Sequence, residues 1–278
     1  MPRKALTRAA IALAAGTAVV VTAVPANAAS YSAFAFSRTG GGQPTVYDFI
    51  NAGIGAVWSS SAFVYSHQKT ITVDGAKSLI LTGNLTAQYY TTSRDYGVFT
   101  DDTRDVAAIE KVFNADYTAT PVTPTDGDHL LWSPTDSRNR LVSFINSATR
   151  TLDVEELEFG DSAVVNAIVA RAEAGVKVRV VLENPSNYSS QVSAVKAAGG
   201  TVVGYSDPNG FYIHAKAMVA DYGLATQEVE AGSMNISSNS LDNNRELGII
   251  LTGTGVAQPV TQTIETTFGS DYAGGTAA

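Results

Sequence analysis

The chain repeats itself, and that constrains it more than any other feature. His67, Lys69 and Asp74 lie in HQKTITVD, and His214, Lys216 and Asp221 lie in HAKAMVAD. Both read HxKxxxxD. There are three histidines in the chain, and each would match this pattern by chance on the order of one time in a thousand. The correspondence continues downstream. LTGN ends at Asn84 and Asp95 follows eleven positions later in SRDYGV; GSMN ends at Asn235 and Glu246 follows eleven positions later in NRELGI. Each half then runs through a polar stretch into a segment ending in an aromatic residue, IEKVFNADY and TIETTFGSDY. Two copies of one unit predict two lobes about a pseudo-two-fold axis, with one shared site where they meet.

Strand and helix patterns alternate from about Asp126. LVSFINSATR predicts a short amphipathic helix and TLDVEELEF a strand. DSAVVNAIVARAEAG predicts a helix with an aspartate cap at its start and Gly175 at its end. VKVRVVLE is apolar enough for a strand covered on both faces. SSQVSAVKAAGG predicts a second capped helix, TVVGY a strand, and YIHAKAMVAD one further strand. This alternation means an α/β fold. The Thr-, Pro- and Asp-rich stretch 119–128 predicts a linker between halves 29–118 and 129–278.

Residues 1–28 have the organisation of a signal peptide. Arg3, Lys4 and Arg8 precede an Ala-rich apolar run, and Ala26-Asn27-Ala28 forms a cleavage site. A secreted, extracellular protein with no integral membrane segment in its mature chain is therefore expected. The formal net charge of −8 becomes −11 once Arg3, Lys4 and Arg8 are gone. That balance opposes electrostatic capture of nucleic acid by the whole body, although it allows a local basic pocket. There is no cysteine, so stability must come from a core rather than from disulfides.

The paired HQKTITVD and HAKAMVAD motifs, followed by LTGN with SRDYGV and GSMN with NRELGI, resemble the phospholipase D superfamily over essentially the whole mature chain. The second half matches its pattern well. In the first, Leu81 and Thr82 stand where the pattern has glycine and serine. Phosphodiester cleavage needs a nucleophile, an acid for the leaving alcohol and charge stabilisation at the phosphoryl oxygens. His67 and His214 suit the first two tasks, since imidazole titrates near neutrality. Lys69, Lys216, Asn84 and Asn235 suit the third, with the Thr82 and Ser233 hydroxyls assisting at the substrate. Asp95 and Glu246 suit the carboxylate that holds a histidine in one tautomer. On a strand, His67 and Lys69 share a face, as do His214 and Lys216, and the two aspartates point away.

The resemblance implies a two-step reaction through a phosphohistidine with no metal and no cofactor. It assigns His67 as nucleophile and His214 as acid, a ranking the residues alone do not supply, and gives Asp74 and Asp221 a structural role. It implies a phospholipid substrate, with water or an alcohol as acceptor. His129, in DGDHLLW, lacks any such context and is expected to be structural or exposed; Trp58 and Trp132 are expected in the core. NLT, NYS and NIS match a glycosylation pattern, but the phosphate-contact reading of Asn84 and Asn235 displaces it.

The halves are unequal. DFINAG around Phe49 matches SFINSA around Phe144, yet the second half holds about fifty residues more before its histidine. The expected fold is thus a bilobal phospholipase D-like repeat, mixed sheets flanked by helices, with a truncated first lobe. Missing elements would leave an apolar face and an unpaired strand edge beside His67, which leaves three outcomes open: a minimal lobe propped against the second, a second molecule covering the gap, or a decayed enzyme. Three functions follow: a secreted phospholipase D-like phosphodiesterase, an impaired phosphate- or lipid-binding protein, or a secreted endonuclease of the same superfamily, the last opposed by the acidic charge.

Overall fold

The computed structural model describes residues 31–36, 55–57, 59–85, 92–207 and 210–278. The predicted signal peptide, Phe49 and Trp58 lie outside them. Strands β1 (Tyr31–Phe36), β2 (Lys69–Val73), β3 (Lys77–Leu81) and β4 (Ser93–Thr100) form one sheet in the order β1-β4-β3-β2, antiparallel throughout. Helix α1 (Thr103–Tyr117) closes the first lobe. Its cap is Asp102, whose side chain accepts from the amides of Arg104 and Asp105. Residues 120–126 then carry neither helix nor strand.

The second lobe follows as β5 (Leu130–Ser133), α2 (Ser137–Ser147), β6 (Thr151–Glu156), α3 (Ser162–Glu173), β7 (Lys177–Glu183), α4 (Ser189–Ala197), β8 (Thr201–Tyr205), β9 (Tyr212–Ile213), β10 (Lys216–Ala220), β11 (Glu228–Gly232), α5 (Ser238–Asp242), β12 (Glu246–Thr252), α6 (Gln258–Gly274) and β13 (Thr276–Ala277). The strand order is β13-β8-β7-β6-β10-β11-β12-β5. Strands β6, β7 and β8 run parallel, joined by helices, and the rest are antiparallel. The α3 cap is the expected Asp161, accepting from Ala163 and Val164, and Gly175 takes the left-handed φ of +85° that ends the helix.

Two cores hold the layers. Phe144 and Ile145 of α2, Val164 and Ile168 of α3, and Val195 of α4 pack on the outer face of the large sheet against Leu152, Val178 and Met218. A second core joins the sheets through Ile80, Tyr96 and Val98 on one side and Val219, Val229 and Leu247 on the other, with Ile109 of α1 and Ile264 of α6 between. Trp132 lies in this core, and its indole N–H donates to the Thr125 carbonyl at 3.1 Å.

The repeat is visible strand by strand. Order β5-β12-β11-β10 in the second lobe corresponds to β1-β4-β3-β2 in the first. The second sheet continues past β10 into β6, whereas β2 pairs with β3 alone among the described residues. Ile71 and Val73 of β2 are exposed at 42% and 56%, while Met218 and Ala220, their counterparts, are buried beneath the α2–α4 layer. The neighbour that β10 has in β6 is antiparallel to it.

The motif aspartates show what the extra elements do. Asp74 and Asp221 both end their strands at a left-handed φ of 55°. Asp221 is buried, and its carboxylate accepts from the amides of Thr149, Arg150 and Thr151 and from the Thr149 hydroxyl, tying the start of β6 to the end of β10. Asp74 is exposed. Both aspartates pay the same backbone cost, so Asp221→Ala should lose about 2–3 kcal/mol more stability than Asp74→Ala, because it strands buried amides. Urea unfolding measures this, and equal losses would refute the contrast.

Candidate active site

The two motif strands are not continuous. SHQKTITVD and YIHAKAMVAD each predict one strand through the histidine, but β2 begins at Lys69 and β10 at Lys216. The residues ahead of each strand are drawn to the other lobe. Ser66 bridges Arg245 in parallel, and the amides of His67 and Gln68 both donate to the Arg245 carbonyl at 2.9 Å. On the opposite side β9 runs parallel to β4, pairing Ile213 with Arg94, and the His214 amide donates to the Arg94 carbonyl at 3.2 Å. Each histidine thus lies beside the strand that carries the other half's acid.

The acids follow from that register. His67 Nδ1 lies 2.8 Å from Glu246 Oε2 and 3.0 Å from Oε1; His214 Nδ1 lies 2.8 Å from Asp95 Oδ1. Each imidazole is held across the lobe junction, with the carboxylate accepting from Nδ1–H and leaving Nε2 for chemistry. Both carboxylates are buried. Burial alone raises the Asp95 carboxyl, but the His214 hydrogen bond, the nearby Lys216 charge and the Thr82 hydroxyl together hold it below its ordinary value. Burial likewise raises Glu246, and His67, Ser233 and Asn244 outweigh it.

Thr82 and Ser233 have a different task from the substrate contact expected of them. Thr82 Oγ1 donates to Asp95 at 2.8 Å and accepts from the Tyr96 amide at 2.9 Å. Ser233 Oγ donates to Glu246 at 2.6 Å and accepts from the Leu247 amide at 3.1 Å. A hydroxyl has one proton, and here it is committed to a carboxylate. These residues orient the acids. The approach is close in the first half: a Cβ at Gly83 would sit 2.8 Å from Asp95 Cγ, so glycine leaves the room Asp95 occupies. Asp74 and Asp221 follow the last residues of β2 and β10.

Three further residues support the acids and were absent from the sequence reading. Ser240 Oγ and Asn244 Nδ2 donate to Glu246 Oε1 at 2.7 and 2.9 Å, and Ser93 Oγ reaches Asp95 Oδ2 at 3.2 Å. Ser93 and Asn244 each stand two residues before their acid, a match legible in SRD and NRE.

The lysines turn back on their own motifs. Lys69 Nζ and Lys216 Nζ each donate to the carbonyl of the histidine two residues earlier, at 2.5 Å. Lys216 Nζ also lies 3.3 Å from both ring nitrogens of His214. Burial, then the Lys216 charge, pushes Lys69 down to about 7. Burial also lowers Lys216, against the pull of Asp95 and of Glu156, its partner on β6. His214 goes down to about 4, through burial, then Lys216, against the Asp95 bond. The Lys69 charge acts on His214 as well, so residues of both motifs share one field. Asn235 is buried; its backbone N–H donates to Ser240 Oγ at 3.0 Å, and its side-chain Oδ1 has no partner among the described residues. Asn84 is half-buried just after β3. His129 lies outside this constellation: its Nδ1 meets Asp105 at 2.9 Å, fastening the linker to α1.

Residues 141–270, which include His214, Lys216, Asn235 and Glu246, match the family model of the cardiolipin synthase, PLD-like domain. No curated protein matches the chain. Among solved structures, polyphosphate kinase from Porphyromonas gingivalis aligns at 16% identity over 80% of this chain and 36% of its own, with a TM-score of 0.59. Phosphatidylserine synthase from Haemophilus influenzae aligns at 10% over 76% and 63%, with a TM-score of 0.56. The phospholipase D family member Nuc from Salmonella typhimurium aligns at 20% over 54% and 95%, with a TM-score of 0.47. The chain spans less than two thirds of the kinase and of the synthase, and at these identities the two share its fold. The family match thus assigns a PLD-like domain to residues 141–270.

The ammonium of Lys216 lies against the His214 ring, so Lys216→Met should raise the His214 pKa from about 4. Histidine NMR titration reads this directly; an unmoved or lower value would show that Lys216 does not set it.

Proposed function

We propose that the protein is a secreted phospholipase D-like phosphodiesterase, which hydrolyses phospholipid head groups and transfers the phosphatidyl group to alcohols. The observation that carries this reading is the pair of crossed dyads, His67 with Glu246 and His214 with Asp95. Two imidazoles, each with its Nδ1 proton held by a buried carboxylate, supply one nucleophile and one acid. Two ammonium groups beside them balance a phosphodiester anion.

In the first step an imidazole Nε2 attacks phosphorus and a P–N bond forms. The bond from phosphorus to the leaving alcohol breaks, and the second imidazole gives that oxygen its proton. In the second step the same imidazole takes a proton from water or an acceptor alcohol, whose oxygen attacks phosphorus and displaces the first histidine. Lys69, Lys216 and the side-chain amides of Asn84 and Asn235 hold the non-bridging oxygens. The resemblance assigns His67 as nucleophile. Burial and the Lys216 ammonium support the reverse: His214 stands as free base at neutral pH, the form that attacks, while His67, 26% exposed, is the more open to proton exchange. Trapped phosphoenzyme from a rapid quench should therefore carry its phosphoryl group on the peptide containing His214. Label on the His67 peptide instead would restore the original ranking.

The acidic chain disfavours the endonuclease reading, since a phosphate-tracking surface needs basic charge. That β2 has a single strand neighbour among the described residues favours, in turn, a binder without turnover. Release of choline or ethanolamine from phospholipid vesicles discriminates. We expect turnover that persists in chelator and falls at least about 10³-fold in His67→Ala and in His214→Ala. Vesicle binding with no turnover, or full activity in both variants, would sink the proposal.

The pH dependence has a defined sign. His214 is the free base above about 4, and Lys69 carries its charge below about 7. The kcat/KM profile, which reports the free enzyme, should rise through about 4, level off, and fall through about 7. Lys69→Arg keeps its charge throughout and should remove the upper limb; an unchanged limb would assign it to another group.

A further inference from the structure

The arginines next to the two acids have no role in the chemistry above, yet they repeat more faithfully than the lobes themselves. Arg94 precedes Asp95 and Arg245 precedes Glu246. Each grips the opposite lobe in three ways. Arg94 accepts the His214 amide at its carbonyl. Its Nε and Nη2 donate to Asp271 of α6 at 2.5 and 3.0 Å, and its guanidinium lies 5.1 Å from the Phe211 ring centre. Arg245 accepts the His67 and Gln68 amides, donates through Nε and Nη2 to Asp116 of α1 at 3.0 and 3.2 Å, and lies 4.2 Å from the Phe63 ring centre. Asp116 and Asp271 are the aspartates of NADY and GSDY, so each clamp runs from one half of the repeat to the other.

We propose that Arg94 and Arg245 are positioning residues, each setting the register in which the opposite lobe's histidine meets its carboxylate. The argument is geometric. A carbonyl and a guanidinium on one residue fix both the backbone that carries the histidine and the helix behind it. A forked, bidentate contact with a carboxylate restrains rotation as well as distance, and an ammonium cannot reproduce it. The Arg245 side chain is 3% exposed and Arg94 17%, so neither pair is a screened surface contact. Among the described residues β2 has one strand neighbour, β3. Arg245 brings the clamp to His67 from the second lobe.

The prediction is reciprocal. Arg245→Met should loosen His67 from Glu246 and leave His214 with Asp95; Arg94→Met should do the opposite. The low-field Nδ1 proton resonances of the two histidines, assigned through His67→Gln and His214→Gln, report each contact separately and without substrate. The matched resonance alone should broaden or vanish in each variant. Retention of both, or joint loss of both in a protein that still unfolds cooperatively in urea, would overturn the proposal. Where a methionine variant does not fold, Arg→Lys at the same position decides by the same two resonances. The activity arm rests on the phosphodiesterase reading: kcat should fall on the order of 10²-fold with KM little changed, as for a displaced catalytic group. An inactive wild type with selective resonance loss would leave the positioning role standing and remove the enzymatic reading.

Discussion

Everything in the site depends on the crossing of histidine and carboxylate between lobes. His67 belongs to the first half and meets Glu246 of the second; His214 belongs to the second and meets Asp95 of the first. Neither lobe holds a complete dyad by itself. The crossing is enforced by backbone, since short parallel pairings bring each histidine's segment alongside the strand that carries the opposite acid. A charged carboxylate buried without partners is costly. Asp95 and Glu246 are stable there because hydroxyls, amides and an imidazole converge on them, and the same contacts fix the imidazole tautomer.

The asymmetry of the lobes acts through the strand next to the motif lysine. Lys216 lies between strands, with Glu156 beside it and three helices covering the sheet face. Lys69 begins the last strand of its sheet among the described residues. The two motifs therefore present the same atoms in different surroundings. A duplicated sequence has become a site with two distinct histidines, one buried against an ammonium and one nearer solvent.

The same comparison explains the aspartates. Asp221 closes a loop that the second lobe has, and its carboxylate is spent on the amides of that loop. Asp74 keeps the left-handed backbone of the motif but is exposed. Backbone conformation is encoded locally, within a few residues of the turn, and so persists in both copies. The contacts that reward it come from elements about seventy residues away and exist only where those elements do.

By itself, the sequence determined the duplication, the α/β alternation of the second half with its Asp161 cap and Gly175 stop, and the residues of the dyads. These are local patterns or exact recurrences, and both are written in residue order. It did not determine which acid meets which histidine. Nor did it show that the motif strands stop short of the histidines, or that Thr82 and Ser233 hold carboxylates rather than substrate. Those facts depend on pairings between Arg94 and Ile213 and between Ser66 and Arg245, more than a hundred residues apart, and no periodicity in either segment specifies its partner. Only tertiary structure decided them. A hydroxyl or a carboxylate has one set of hydrogen bonds to make, and what it makes them with depends on what the fold brings within about 3 Å.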